Sequence, residues 1–230
     1  MSVPTQYLKS RGLRVHTFAA RLLVLACAGA ALMPAVAAAE TKENTTQFEV
    51  KAGSLTFSTA PTMPTLTAVT LKGEAQTTKT VMNNFAVQDA TGSGSGWNVT
   101  IEGQAGAGKS AVFKQYCPEA KCGSESKGYI TGGFELAANS LTLNSTGASF
   151  TAEKESTGTA PTFVCGSGCS VDHATGVKIA HAEVAAGMGT WATTGFGASS
   201  LSLATPSTLK VLPEKEVYHV DLLWTLSTGP

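Results

Sequence analysis

The sequence predicts an all-β fold: a single domain, β-sandwich or barrel-like, with long surface loops. Three observations predict it. Short runs alternate apolar and polar residues with period two, as in Trp97-Asn98-Val99-Thr100-Ile101-Glu102. Clusters of Gly, Pro, Ser and Asn separate these runs at short intervals. No stretch of a dozen residues carries a helical apolar stripe. Alternation places residues i and i+2 on one face of a strand, and many short strands with frequent turns build a sandwich or a barrel.

Residues 1–39 read as a secretory signal peptide. Lys9, Arg11, Arg14 and Arg21 precede an apolar run, residues 22–34, with no acid among them. That run is shorter than the about 20 residues that span a bilayer. Ala37 and Ala39 then form a small-residue cleavage site before Glu40. Cys27 lies in VLAC, a poor acylation box. The domain is expected to occupy 40–230, with a loose polar start at 40–46. No later segment is apolar for long enough to cross a membrane as a helix, so no mature transmembrane segment is expected.

The strand candidates follow in order. They are 46–50 (TQFEV), 54–58 (SLTFS), 67–72 (TAVTLK), 83–89 (NNFAVQD) and 97–102 (WNVTIE). Next come 134–137 with 140–144 (FELA, SLTLN), 177–184 (VKIAHAEV), 200–205 (SLSLAT) and 216–227 (EVYHVDLLWTLS). In the last run Tyr218, Val220, Leu222, Trp224 and Leu226 are expected on one face. Residues 103–132 and 154–175 read as surface excursions, each holding a cysteine pair.

Composition excludes some functions. Without residues 1–39 the chain keeps all sixteen acidic residues and loses four of its sixteen basic ones, a net charge of −4. No arginine lies beyond Arg21. Arginine is the usual bidentate reader of phosphates and bases, so nucleic acid is not an expected partner. Four cysteines remain: Cys117, Cys122, Cys165 and Cys169. An even count in an exported chain reads as two disulfides, of which three pairings are possible. The local pairing, Cys117 with Cys122 and Cys165 with Cys169, is favoured because each pair brackets turn residues. A zinc site is the rival, but its C-x4-C and C-x3-C spacing is loose and no metal is expected.

Gly103–Ser110 (GQAGAGKS) fits the phosphate-loop pattern at every fixed position, with Lys109 and Ser110 at its end. A phosphate loop joins a buried strand to a helix N-terminus. Here a strand precedes, but Pro118 and a cysteine turn follow within a few residues. No β-α-β alternation supports a nucleotide fold. A loop or loose hairpin is expected at 103–110, with no helix from Lys109, no nucleotide and no cofactor. Nor does a catalytic constellation stand out. Ser167, His219 and Asp172 could be assembled as a triad on paper, without a nucleophile elbow. His181 and Glu183 share a face, which reads as a solvated strand face. No enzyme is expected.

Trp97-Asn98-Val99 and Trp224-Thr225-Leu226 each place an indole beside an aliphatic side chain on one strand face. Core packing is the plain reading. Contact with sugar rings or a partner chain is the functional one. Trp191, among Gly and Thr, reads as a loop or strand-edge aromatic. Trp97, Val99, Trp224, Leu226 and Trp191 are therefore the candidate ligand- or partner-binding residues.

These motifs carry a resemblance. Asp89, Gly92, Gly94, Gly96 and Trp97 follow a D-x-x-G-x-G-x-G-W segment, after an early FEVKAGSLTFSTAPTM and before a late YHVDLLWTLSTGP. In this order the chain resembles the WxL surface proteins of Gram-positive bacteria over most of 46–230. Val99 stands where that pattern has Leu, and the cysteine pairs lie outside the pattern. The resemblance implies a secreted, non-catalytic protein at the cell surface. It would be held non-covalently to the cell wall through peptidoglycan or another wall glycan, often beside other surface proteins. Consistently, LPEKE (212–216) is no sortase motif and no apolar tail follows it. The alternative is a structural or interaction subunit of a surface complex, joining partner proteins by strand addition.

Overall fold

A computed structural model describes residues 45–230, and the segment expected to be a signal peptide, residues 1–39, lies outside them. Glu49–Pro230 forms the compact unit considered below. Its strands begin with β1 (Leu55–Thr59), β2 (Gln76–Thr80), β3 (Ala86–Asp89), β4 (Trp97–Gly103) and β5 (Lys114–Cys122). They continue with β6 (Glu125–Tyr129), β7 (Leu141–Leu143), β8 (Ser149–Glu153), β9 (Thr162–Phe163) and β10 (Cys169–Ser170). The last are β11 (Val177–Ala182), β12 (Gly189–Thr194), β13 (Leu201–Thr205), β14 (Val217–His219) and β15 (Leu222–Thr228). There is no helix among the described residues.

The strands form four antiparallel sheets, in the orders β1-β3-β12-β8, β10-β7-β13-β2, β15-β4-β11-β9 and β14-β5-β6. None closes into a barrel, and the arrangement is sandwich-like. The all-β prediction holds. The first and third sheets meet through aromatic rings. Trp97 of β4 meets Phe150 of β8 at 5.9 Å, and Phe150 stacks on Phe163 of β9 at 4.7 Å. Phe85, just before β3, sits 6.2 Å from Phe57 of β1 and 5.5 Å from Trp224 of β15. These rings bury apolar area, and the Trp97–Phe150 and Phe57–Phe85 pairs add edge-to-face attraction.

Several elements differ from expectation. Residues 46–50 form no strand and are exposed. Residues 67–72 also form no strand, although their sequence alternates. The strand β2, Gln76–Thr80, was hidden by its polar composition: it pairs along β13 as an outer strand and buries little. The run 134–137 contributes only an isolated bridge, Glu135 with Lys114. The run 216–227 is two strands in two sheets, broken at Val220–Asp221. Residues 103–132 are not merely a loop. They hold the β5–β6 hairpin, turned by Gly123 at φ 61° and Ser124. The excursion 154–175 carries the short strands β9 and β10.

The cysteines pair locally, as favoured. Cys117 and Cys122 are joined at a Cα separation of 5.7 Å, Cys165 and Cys169 at 5.3 Å. The first bridge spans an irregularity of β5. Cys117 faces Gly128 while Lys121 faces Ser126, so three residues of β5 stand against one of β6.

Candidate functional site: the paired tryptophan motifs

The Asp89–Trp97 segment is a turn that seats an indole. The Asp89 carboxylate accepts from the Thr91 amide at 3.0 Å and from the Thr91 hydroxyl at 2.6 Å, folding the chain back on itself. Gly96 is the tightest point. It has φ 74°, and a Cβ there would lie 2.2 Å from the Ala182 carbonyl oxygen. No other residue fits without moving backbone. Trp97 then enters the core with 0% exposure, its indole N–H donating to the Gly187 carbonyl at 3.1 Å.

Trp224-Thr225-Leu226 lies on β15, hydrogen-bonded to β4. The register opposes Leu226 to Val99, Trp224 to Ile101 and Thr228 to Trp97. Directly opposed residues share a face, so both motifs turn one face of the third sheet inward. Val99 is fully buried; Trp224 and Leu226 are half-buried and pack on the core. The Asn98 side chain donates to the Gly229 carbonyl, and the Gly229 amide donates to Gly96 at 3.0 Å, tying the two motif segments at their ends. Residues 34–230 match the family of WxL domain surface cell wall-binding proteins.

The chain belongs to the WxL family. It is accordingly a cell-surface protein of the cell wall, with a domain that binds the wall. No curated protein and no solved structure matches it.

Both WxL motifs are thus two adjacent strands of one sheet. Val99, the departure from the family pattern, meets the Leu of the second motif. Trp191 is not on a loop or an edge: it lies in β12, between β3 and β8, with 4% exposure and its indole N–H on the Met188 carbonyl at 2.9 Å. Gly187 and Met188 shape the turn that both buried indoles use. Trp224 also lines an open groove of about 940 Å³, with Met63, Leu66, Leu203, Tyr218 and Leu222.

Gly103–Ser110 is the exit from β4, as expected. Gly106 bridges Lys109 in a loose hairpin, and no helix starts there. Gly103 is needed for contact with the chain itself, since a Cβ would lie 2.2 Å from the Ala111 carbonyl oxygen. The Ser110 amide donates to the Asp221 carboxylate at 2.9 Å. A phosphate there would meet a carboxylate on the amide it needs.

The residues of the paper triad are engaged separately. Asp172 is fully buried and accepts from the Ser140 amide at 2.9 Å; its Oδ1 has no partner. His219 stacks on Tyr116 with ring centroids 4.6 Å apart. His181 does meet Glu183, at 2.8 Å, with Glu183 exposed just after β11. Sequence reasoning missed Tyr116, Tyr129 and Asp221. The Tyr129 hydroxyl donates to Asp221 at 2.6 Å, and burial, then that carboxylate, push the phenol far above its ordinary range. A signal was present: Gly-Ser between two runs marks a two-residue hairpin, here between Cys122 and Glu125.

Proposed function

We propose that this WxL protein is secreted and non-catalytic, and associates non-covalently with peptidoglycan. The pairing of the two WxL motifs as neighbouring strands carries the reading. Trp97, Val99, Trp224 and Leu226 organise one sheet of a wall-binding domain, and Trp224 borders the open groove. The family match over 34–230 supports the wall as partner. Co-sedimentation of residues 40–230 with purified sacculi tests it. At moderate salt the protein should pellet well above a control protein; recovery in the supernatant would remove the glycan claim. Trp97→Ala should lower stability by about 3–5 kcal/mol as a buried indole is lost. Trp224→Ala should fold, and a drop in sacculus binding at an unchanged melting midpoint would place Trp224 at the ligand.

A second reading is a subunit that joins surface proteins by strand addition. Residues 67–72 favour it. Their sequence is that of a strand, yet residues 60–72 make no backbone–backbone hydrogen bond among the described residues. Capture of a surface protein from envelope extract, without sacculus binding, would select this reading.

A further inference from the structure

Trp97 and Trp191 are buried and Trp224 lines the groove, so any further stacking face comes from other rings. The fourth sheet supplies one, and its His219 lines the same groove. Tyr116 of β5 and Tyr129 of β6 are direct cross-strand partners, with ring centroids 4.9 Å apart. His219 of β14 stands diagonal to Tyr116 across the other ladder, 4.6 Å away and stacked at 26°. It also lies 5.9 Å from Tyr129. Neither tyrosine nor His219 belongs to the hydrophobic core, whereas the adjacent Tyr218 packs against it. All three are half-buried, and His219 keeps 44% of its side-chain area open.

Polar groups stand at the rim. The Asp221 carboxylate is 26% exposed, accepts from the Tyr129 hydroxyl, and lies 3.7 Å from the His219 Nε2. Lys114 is the Cα partner of His219, on the same face. Grouped flat rings with a carboxylate, an imidazole and an ammonium beside them suit one ligand chemistry. Apolar C–H faces of pyranose rings lie on aromatic planes, while hydroxyl and acetamide groups need donors and acceptors at the edge. Nucleobases also stack on such rings, but their phosphates would meet the Asp221 carboxylate, and no arginine lies beyond Arg21 to hold them.

The disulfide spans the irregularity that sets this arrangement. From the turn pair Cys122 and Glu125, an unbroken ladder would bring Tyr129 opposite Pro118. The irregularity bridged by Cys117 and Cys122 brings it opposite Tyr116 instead.

We propose that Tyr116, Tyr129 and His219, with Asp221 at their rim, form a saccharide-binding face on the disulfide-braced hairpin. It rests on the cell-wall reading and names the part of the protein that meets the glycan.

The test uses the protein exported to the culture medium, in wild-type and His219→Ala forms. Two probes are compared: intact sacculi and peptide-free glycan strands released from them by amidase. The wild type should bind both, and His219→Ala should bind both about tenfold more weakly, the scale of one aromatic contact. Its melting midpoint should be unchanged. On unaltered protein, the ring resonance of His219 should shift when glycan strands are added. Wild-type binding with an unweakened variant, or an unshifted His219 resonance, overturns the saccharide face and leaves the cell-wall reading standing. Binding to sacculi but not to glycan strands assigns the ligand to stem peptides and also overturns it. A wild type that binds neither probe overturns both.

Discussion

Leu226 lies directly opposite Val99 across the β15–β4 ladder. The aliphatic members of the two WxL motifs are therefore one cross-strand pair, and the volume at one position constrains the other. Val99→Leu restores the family residue but adds a methylene to a site with no exposed area. It should cost about 1–3 kcal/mol, as overpacking does. Leu226→Val in the same chain should recover much of that loss. Urea unfolding of both single variants and the double measures the coupling, and strict additivity would contradict it.

Gly96 and Gly92 have almost the same φ, 74° and 67°, in different surroundings. Gly96→Ala drives a Cβ into the Ala182 carbonyl; Gly92→Ala meets nothing within 4 Å. The first should cost at least about 2 kcal/mol, and the second about 1 kcal/mol from backbone strain alone. Thermal denaturation of both should rank them in that order.

Asp172 gives the fold a pH dependence of known sign. Burial raises its carboxyl above the ordinary value, against the pull of nearby backbone amides. A raised folded pKa stabilises the fold below the unfolded value and loses that contribution as pH rises through the folded one. From about pH 4 up to its raised folded pKa, this residue therefore lowers stability as pH increases. Asp172→Asn keeps an oxygen for the Ser140 amide and removes the titration. Melting midpoints across that range should fall less in the variant than in the wild type.

The Cys117–Cys122 bridge closes a short loop, worth about 2 kcal/mol on a chain-entropy account. Replacing both cysteines with serine should lower stability by about that amount. Cross-peaks between the Tyr116 and Tyr129 rings should weaken in the variant, because the bridge spans the irregularity that sets their register. An intact contact would mean that the ladder alone holds it.

Much of the fold was legible in the alternation itself. WNVTIE reads as β4 because its burial follows the pattern residue by residue, and SLSLAT reads as β13 for the same reason. Residues 67–72 alternate equally well yet have no strand to pair with, and sequence cannot say whether a neighbour exists. The run at 216–227 splits because Asp221 turns inward to the Ser110 amide and the Tyr129 hydroxyl, partners more than ninety residues away. The motif tryptophans were visible from spacing, but their pairing needed the register. The Tyr116–Tyr129 pair needed more still: a hairpin, a disulfide and an irregular ladder together.

The tie between Asn98 and Gly229 spans 131 residues of sequence. The central strand β4 emerges early in synthesis, but one of its neighbours is β15, made after nearly all the rest. Until then Trp97 has an unfinished sheet around it. Long-range pairing of this kind is slow to form. A chain threaded from its N-terminal end through a narrow pore would stay unfolded through most of the passage, then complete its third sheet only after β15 has crossed.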